Sequence, residues 1–403
     1  MIFFSEIARL VFDSLPWAIV SYLPFFLLLV AILIARRRKI ERAVLGINRV
    51  PFWREIAHDA LIGIAAGYIG SLALIYLGIA LDTAGFLYVL LLAILLFFMD
   101  PHYLCLAYAG GFVSLISLAT GLPRLHIPGL LALVAVLHIT ESALILIDGD
   151  RQAIPIYLKH PKGTIGGCLL QRIWPVPLIA LSAIVAAGQK DVTYLHSPAW
   201  WPLIPMSLGA TMALIYTAIP VAAALGYEDL ALTSSPRIKA LRTAGLLFLY
   251  SLILLALAVA SARFEVFAWL AALFAPCGHE LTLYATRQIE LRGRPAYTNM
   301  LGGVKILAIL PESRAAKAGL KPGETIAAVN NQPVRTKAEL LLRLGESIIL
   351  TSIDTMPRKR RPGRQYEFRG DARQLGLVLA PDLDEPAQVE VCPWRFLSKR
   401  KET

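Results

Sequence analysis

Apolar runs of bilayer length alternate with short polar breaks along the first three quarters of the chain, and then the pattern changes. A membrane-spanning helix needs about 20 apolar residues. Runs of this kind cover 16–35, 59–81, 84–99, 103–121, 128–147, 173–188, 203–225, 243–262 and 265–285. The third and sixth are short, so eight or nine spans are expected. The breaks at 82–85, Asp100-Pro101-His102, 121–128 and 188–202 are rich in turn formers. From about residue 295 the period shortens. Strands are expected at 304–310, 325–329, 347–353, 366–369 and 375–379, with short helices at 315–320 and 336–344. The predicted fold is a polytopic α-helical membrane bundle over 1–290, a small α+β domain over 295–394 and a basic tail over 395–403.

Composition sharpens this division. The chain is 57% hydrophobic and 17% charged, too apolar for an ordinary soluble protein of its length. Residues 295–403 hold 18 of the 39 Lys and Arg. The net charge of +11 raises nucleic acid as a partner, but no basic stretch is interleaved with aromatics, so none is expected. Basic loops flanking apolar spans instead mark the cytoplasmic side of a membrane. Counted from an outside N-terminus, inner segments carry 17 Lys and Arg, including Arg36, Arg37, Arg38, Lys39, Arg172 and Arg237, against 4 outside. That phase puts the C-terminal domain in the cytoplasm. Glu6 and Asp13 precede the first apolar run and the basic cluster follows it, the reverse of a cleavable signal. Trp200 and Trp201 fit an outer aromatic belt. Gly63, Gly67 and Gly70 form a small-residue stripe suited to close helix packing. Cys105, Cys168, Cys277 and Cys392 stand alone, with no CxxC, so no disulfide framework, metal or cofactor is indicated.

The segment PESRAAKAGLKPGETIAAVNNQPV, 311–334, resembles bacterial PDZ domains, which read PGSPAAxAGLxPGDxIxxVNGxxV after a GLGV-like loop. Asn331 replaces the usual Gly, and Asn also tolerates a left-handed backbone. The resemblance implies a groove that takes protein C-termini or extended peptides by strand addition. The peptide would lie between 304–309 and the helix 336–344, with the N–H groups of Leu301, Gly302 and Gly303 capping its carboxylate. Val304, Ile306, Ala308, Leu340 and Leu344 would line it. Arg358-Lys359-Arg360-Arg361 and the tail could touch anionic lipid head groups or be solvated loops.

Some ionisable residues fall well inside the apolar runs. His138 and Glu141 share a face of the fifth, and His279 and Glu280 lie near the inner end of the last. Such groups are costly in hydrocarbon and are functional candidates. His279-Glu280 begins an HExxH pattern whose second ligand position holds Leu283. Asp148 in Leu146-Ile147-Asp148-Gly149 resembles the LDG of intramembrane metalloproteases, although the motif order is reversed. An intramembrane zinc metalloprotease with a regulatory PDZ domain is therefore the alternative. A hydrogen bond between His and Glu that fixes helix packing is the simpler expectation, and no catalytic residue is assigned.

The whole arrangement resembles the Min-system topological determinants of Gram-positive bacteria (MinJ-like proteins), with many spans before one cytoplasmic PDZ domain. His138-Ile139-Thr140-Glu141-Ser142, Gly166-Gly167-Cys168-Leu169-Leu170-Gln171-Arg172-Ile173-Trp174-Pro175, Gly278-His279-Glu280-Leu281 and the PDZ segment carry the likeness. It implies a non-enzymatic adaptor in the bacterial plasma membrane that binds other membrane division proteins.

Overall fold

A computed structural model describes residues 2–81, 83–161, 163–185, 197–205, 214–299, 302–347, 349–357, 362–371, 375–387, 389–392 and 395–398. Among the described residues the first part has seven α-helices: α1 (Ile2–Leu45), α2 (Phe52–Tyr76), α3 (Thr83–Met99), α4 (Leu106–Thr120), α5 (Ile127–Asp148), α6 (Pro236–Ser261) and α7 (Glu265–Arg292). Among the described residues, α2, α5, α6 and α7 are long and apolar enough to cross a bilayer. Helix α1 makes a fifth if its two halves count as one span. They meet at 64°, and Pro24 lies at the bend, where its ring removes a helical hydrogen bond and crowds the preceding turn.

Eight or nine helical spans are not found, for two reasons. The expected spans at 173–188 and 203–225 are instead largely strands, β2 (Gly163–Val185) and β3 (Leu214–Ala231). They pair antiparallel from Cys168↔Ala231 to Val185↔Leu214. Hydropathy cannot separate a buried strand from a buried helix. Pro175, Pro177 and Pro220 can: a helix interior would lose a hydrogen bond and clash at each. Second, α3 and α4 have only 17 and 15 residues. They join through a 3-10 turn, Pro101–Leu104. Cys105 at this turn meets His138, which lies about 16 Å into α5. The α3–α4 pair therefore turns back at half the depth of α5.

A strand among lipid-facing helices must satisfy its outer edge, because hydrocarbon offers no hydrogen bonds. In β2 this is done residue by residue. Pro175 and Pro177 have no N–H to lose. The N–H of Ile179 donates to Ser71 Oγ at 2.8 Å, and the Leu181 carbonyl accepts from the Leu81 N–H at 2.7 Å. Helix α2 can reach this edge because its contact face is glycine. A Cβ on Gly63 would sit 1.9 Å from Pro175 O, and one on Gly67 would sit 1.9 Å from Pro177 O. The small-residue stripe does pack closely, but chiefly against a strand rather than another helix.

The basic end of the bundle is held by buried ion pairs. Arg49 bonds Glu41 at 2.6 Å, Lys239 bonds Asp229 at 3.0 Å, and Arg37 pairs with Glu55. Arg172 donates from Nε to Asp148 at 2.9 Å and from its terminal nitrogen to Asp59 at 2.5 Å. Trp174 Nε1 adds a bond to Asp148 at 2.9 Å. At the opposite end Trp200 and Trp201 pack edge-on against Phe3, and Trp201 Nε1 donates to the Ile75 carbonyl.

The C-terminal unit has its own core and a sheet of β4 (Val304–Ile309), β5 (Thr325–Val329), β6 (Gln332–Pro333), β7 (Leu350–Thr355), β8 (Gln365–Arg369) and β9 (Leu377–Leu379), with helices α8 (Arg314–Lys317) and α9 (Lys337–Glu346). The order is β8-β7-β5-β4-β9, with β6 on β5. It joins the basic end of the bundle. Leu307 and Ala380 belong to the bundle's core, and the Gly166 N–H donates to the Tyr297 carbonyl. Residues expected to end the domain and start a free tail go back to the first part. There β10 (Val389–Cys392) runs parallel to β1 (Ile154–His160), and β11 (Arg395–Ser398) pairs with β10. The resulting sheet has the order β11-β10-β1-β2-β3.

Candidate functional site

Two places collect the residues singled out in the sequence. The first is the C-terminal sheet. Strand β4, expected to receive a peptide, is interior: Val304 and Lys305 pair with β5, and Ile306, Ala308 and Ile309 pair with β9. Val304, Ile306, Leu340 and Leu344 are buried in the unit's own core, and Ala308 is half-buried. Gly302 is exposed with φ +72°. Gly303 is packed so that a Cβ would lie 2.6 Å from Ile326 O. Leu301 and Arg358-Lys359-Arg360-Arg361 lie outside the described residues. The expected lining set therefore builds the core rather than an open groove.

The open edges belong to β8 and β9, and they differ. Strand β8 turns Gln365, Glu367 and Arg369 outward, the charged guard that discourages edge pairing. Strand β9 is Leu377-Val378-Leu379, without charge, and follows Gly376 at φ +75°. Gly376 and Ala380 bond toward β4, through Leu310 and Lys305. Alternation then turns the backbone groups of Leu377 and Leu379 outward. The Leu379 carbonyl shows this directly by accepting from Tyr157 Oη at 2.8 Å. Beyond β9, Asp382 accepts from the Lys337 N–H at the start of α9 at 3.1 Å, and Lys337 Nζ reaches Glu385 and Tyr157. Burial opposes the Lys337 charge, but the bonds to Glu385 and Tyr157 outweigh it and hold its pKa above the ordinary lysine value.

The second place is the tip of the α3–α4 pair. Cys105 Sγ lies 3.1 Å from His138 Nε2 and 3.7 Å from His279 Nε2. His138 Nδ1 donates to the Val134 carbonyl at 2.7 Å. His279 Nδ1 is 3.3 Å from Tyr108 Oη, which donates to Glu280 at 2.6 Å and lies 3.0 Å from His102 Nε2. Tyr250 packs edge-on against both imidazoles and donates to the Ala275 carbonyl at 2.8 Å. The structure thus unites His138 with His279, while Glu280 faces His102 and Tyr108 on a more open side. Glu141 lies one turn beyond His138 on α5. Among the four expected residues no His bonds a Glu directly: Glu280 pairs with His102 at 3.0 Å, while His138 and His279 flank a sulfur and Tyr108 bridges His279 to Glu280.

Sequence reasoning missed Cys105 and Tyr108, which become neighbours of the histidines only through the turn at Pro101. Asp148 lies ten positions, about 15 Å, along α5 from His138 and is bonded to Arg172. The metalloprotease constellation is not assembled.

No protein-family model matches the chain. The chain is similar to the cell division topological determinant MinJ of Bacillus subtilis (strain 168), with 24% identity over 259 residues. The likeness is remote. It takes in 63% of this chain and 62% of the relative, less than two thirds of that protein's length. It supports the resemblance to MinJ-like proteins and does not favour an enzyme.

Proposed function

We propose that the chain is a membrane-anchored scaffold whose C-terminal domain, PDZ-like in its motif, binds an extended peptide or protein C-terminus by strand addition on β9. The work is placement of the division site, as in the name of its relative, and the partners are other membrane division proteins. The observation that carries the peptide reading is the uncharged outer edge of β9, where the backbone groups of Leu377 point away from β4. The basic end of the bundle and this domain share one face, which in the positive-inside reading is the cytoplasmic face. The N-terminal half of α1 then starts at the outer surface.

Main-chain pairing plus one or two seated side chains gives micromolar affinity, near −8 kcal/mol. The test is Leu377→Pro in the full chain in nanodiscs. Proline is tolerated on an edge strand but lacks the outward N–H that a peptide carbonyl would use. Titration with C-terminal peptides of division proteins should show binding that weakens about tenfold, the worth of one hydrogen bond of about 1.5 kcal/mol. Binding that is indifferent to this substitution would rule out the β9 edge.

A further inference from the structure

We propose that Cys105, His138 and His279 form a transition-metal site, with zinc as the expected ion, at the tip of the α3–α4 pair. Their three donor atoms lie within 4.8 Å of one another. Around a tetrahedral zinc with a sulfur bond near 2.3 Å and nitrogen bonds near 2.0 Å, a sulfur and a nitrogen stand about 3.5 Å apart. The observed 3.1 and 3.7 Å bracket that separation.

The surroundings aim the donors. A ligating histidine typically gives its second N–H to a carbonyl or another acceptor, which fixes the tautomer. His138 does so to Val134, and His279 has the Tyr108 hydroxyl at the same position, itself bonded to Glu280. Both Nε2 lone pairs are thereby turned toward one sulfur. The thiol has a single proton, enough for one of them, and leaves the other lone pair facing sulfur. A cation in the centre satisfies all three, and the thiol proton leaves to solvent as the ion binds. The three ligands come from the α4 start, α5 and α7, so the ion would tie the re-entrant pair to two spanning helices. The other cluster of donors, His58, Asp59 and Asp148, already holds the Arg172 guanidinium and needs no metal.

The test is metal analysis of the full chain, purified in detergent without a histidine tag, and cobalt substitution of the same sample. The expected result is about one zinc per chain and, with cobalt, a thiolate-to-cobalt charge-transfer band. Cys105→Ser, nearly isosteric, should lower retained zinc roughly tenfold or more and abolish the band, while His58→Gln keeps both. Copper at the same stoichiometry, lost in the same variant, would uphold the site and change its ion. Monodisperse wild-type protein that takes up neither zinc nor copper and shows no cobalt–thiolate band would overturn the proposal, with no variant required. Metal retained in Cys105→Ser would overturn it as well.

Discussion

Arg172 shows how a single residue can organise a bundle. Its side chain is 1% exposed, and it holds Asp59 of α2 and Asp148 of α5 together from a strand. Removing one member of a buried pair leaves an uncompensated charge, at a cost of about 3–5 kcal/mol. Arg172→Met should therefore lower the unfolding midpoint of the detergent-solubilised protein sharply. Adding Asp148→Asn and Asp59→Asn should restore part of the loss, because the stranded carboxylates go with the arginine. If the single and triple variants melt alike, the cluster does not hold the fold. The role of Arg172 was not legible in the sequence, where it stood as one of many basic residues on an inner loop. Its partners are 113 and 24 positions away, and only folding brings them together. His138 and His279 were visible as ionisable residues in apolar runs. Their meeting at Cys105 was not, since a lone cysteine beside a turn has no periodic signature.

Among the elements, the β2–β3 hairpin departs furthest from expectation. The apolar runs only overlap these strands, and their prolines were the signal that a hydropathy window averages away. The glycine stripe on α2 was legible as a contact face, but the identity of its partner was not, because a helix and a strand ask for the same absence of side chain. Gly67→Ala should force α2 away from Pro177, with an overpacking cost of about 1–3 kcal/mol or more. Gly245, where a Cβ meets nothing within 4 Å, is the control: Gly245→Ala should leave the midpoint unchanged or raised, as alanine favours helix. Thermal unfolding in one detergent would compare the two, and equal effects would refute the close approach to β2. The C-terminal strands and α9 fell near their expected places because turn chemistry and a capping box at Thr336 and Glu339 mark their ends. Which edge stays open depended on strand order, which no local pattern encodes.

At the scale of the molecule, the division into an apolar bundle and a water-facing unit was plain from composition. The count of spans was not, since two expected spans are largely strands and one helix pair turns back. Two strands in place of two expected helices leave the proposed sidedness unaltered. Cysteine introduced at Leu122, 65% exposed beyond α4, and at Ile349, 82% exposed in the C-terminal unit, should react with an impermeant maleimide from opposite sides of sealed vesicles. Labelling of both from the same side would refute the arrangement.

The return of β10 to β1 makes the C-terminal unit an insertion tethered at two points rather than a pendant on a leash. A folded unit of this size has a radius of gyration of about 12 Å, and with both tethers short it cannot range further. A peptide held on β9, as proposed, would lie within a few nanometres of the lipid surface. Cutting the chain after α7 to delete the C-terminal unit also strips two strands from the sheet beneath it, so excision of 302–381 with the ends rejoined is the cleaner way to remove that unit.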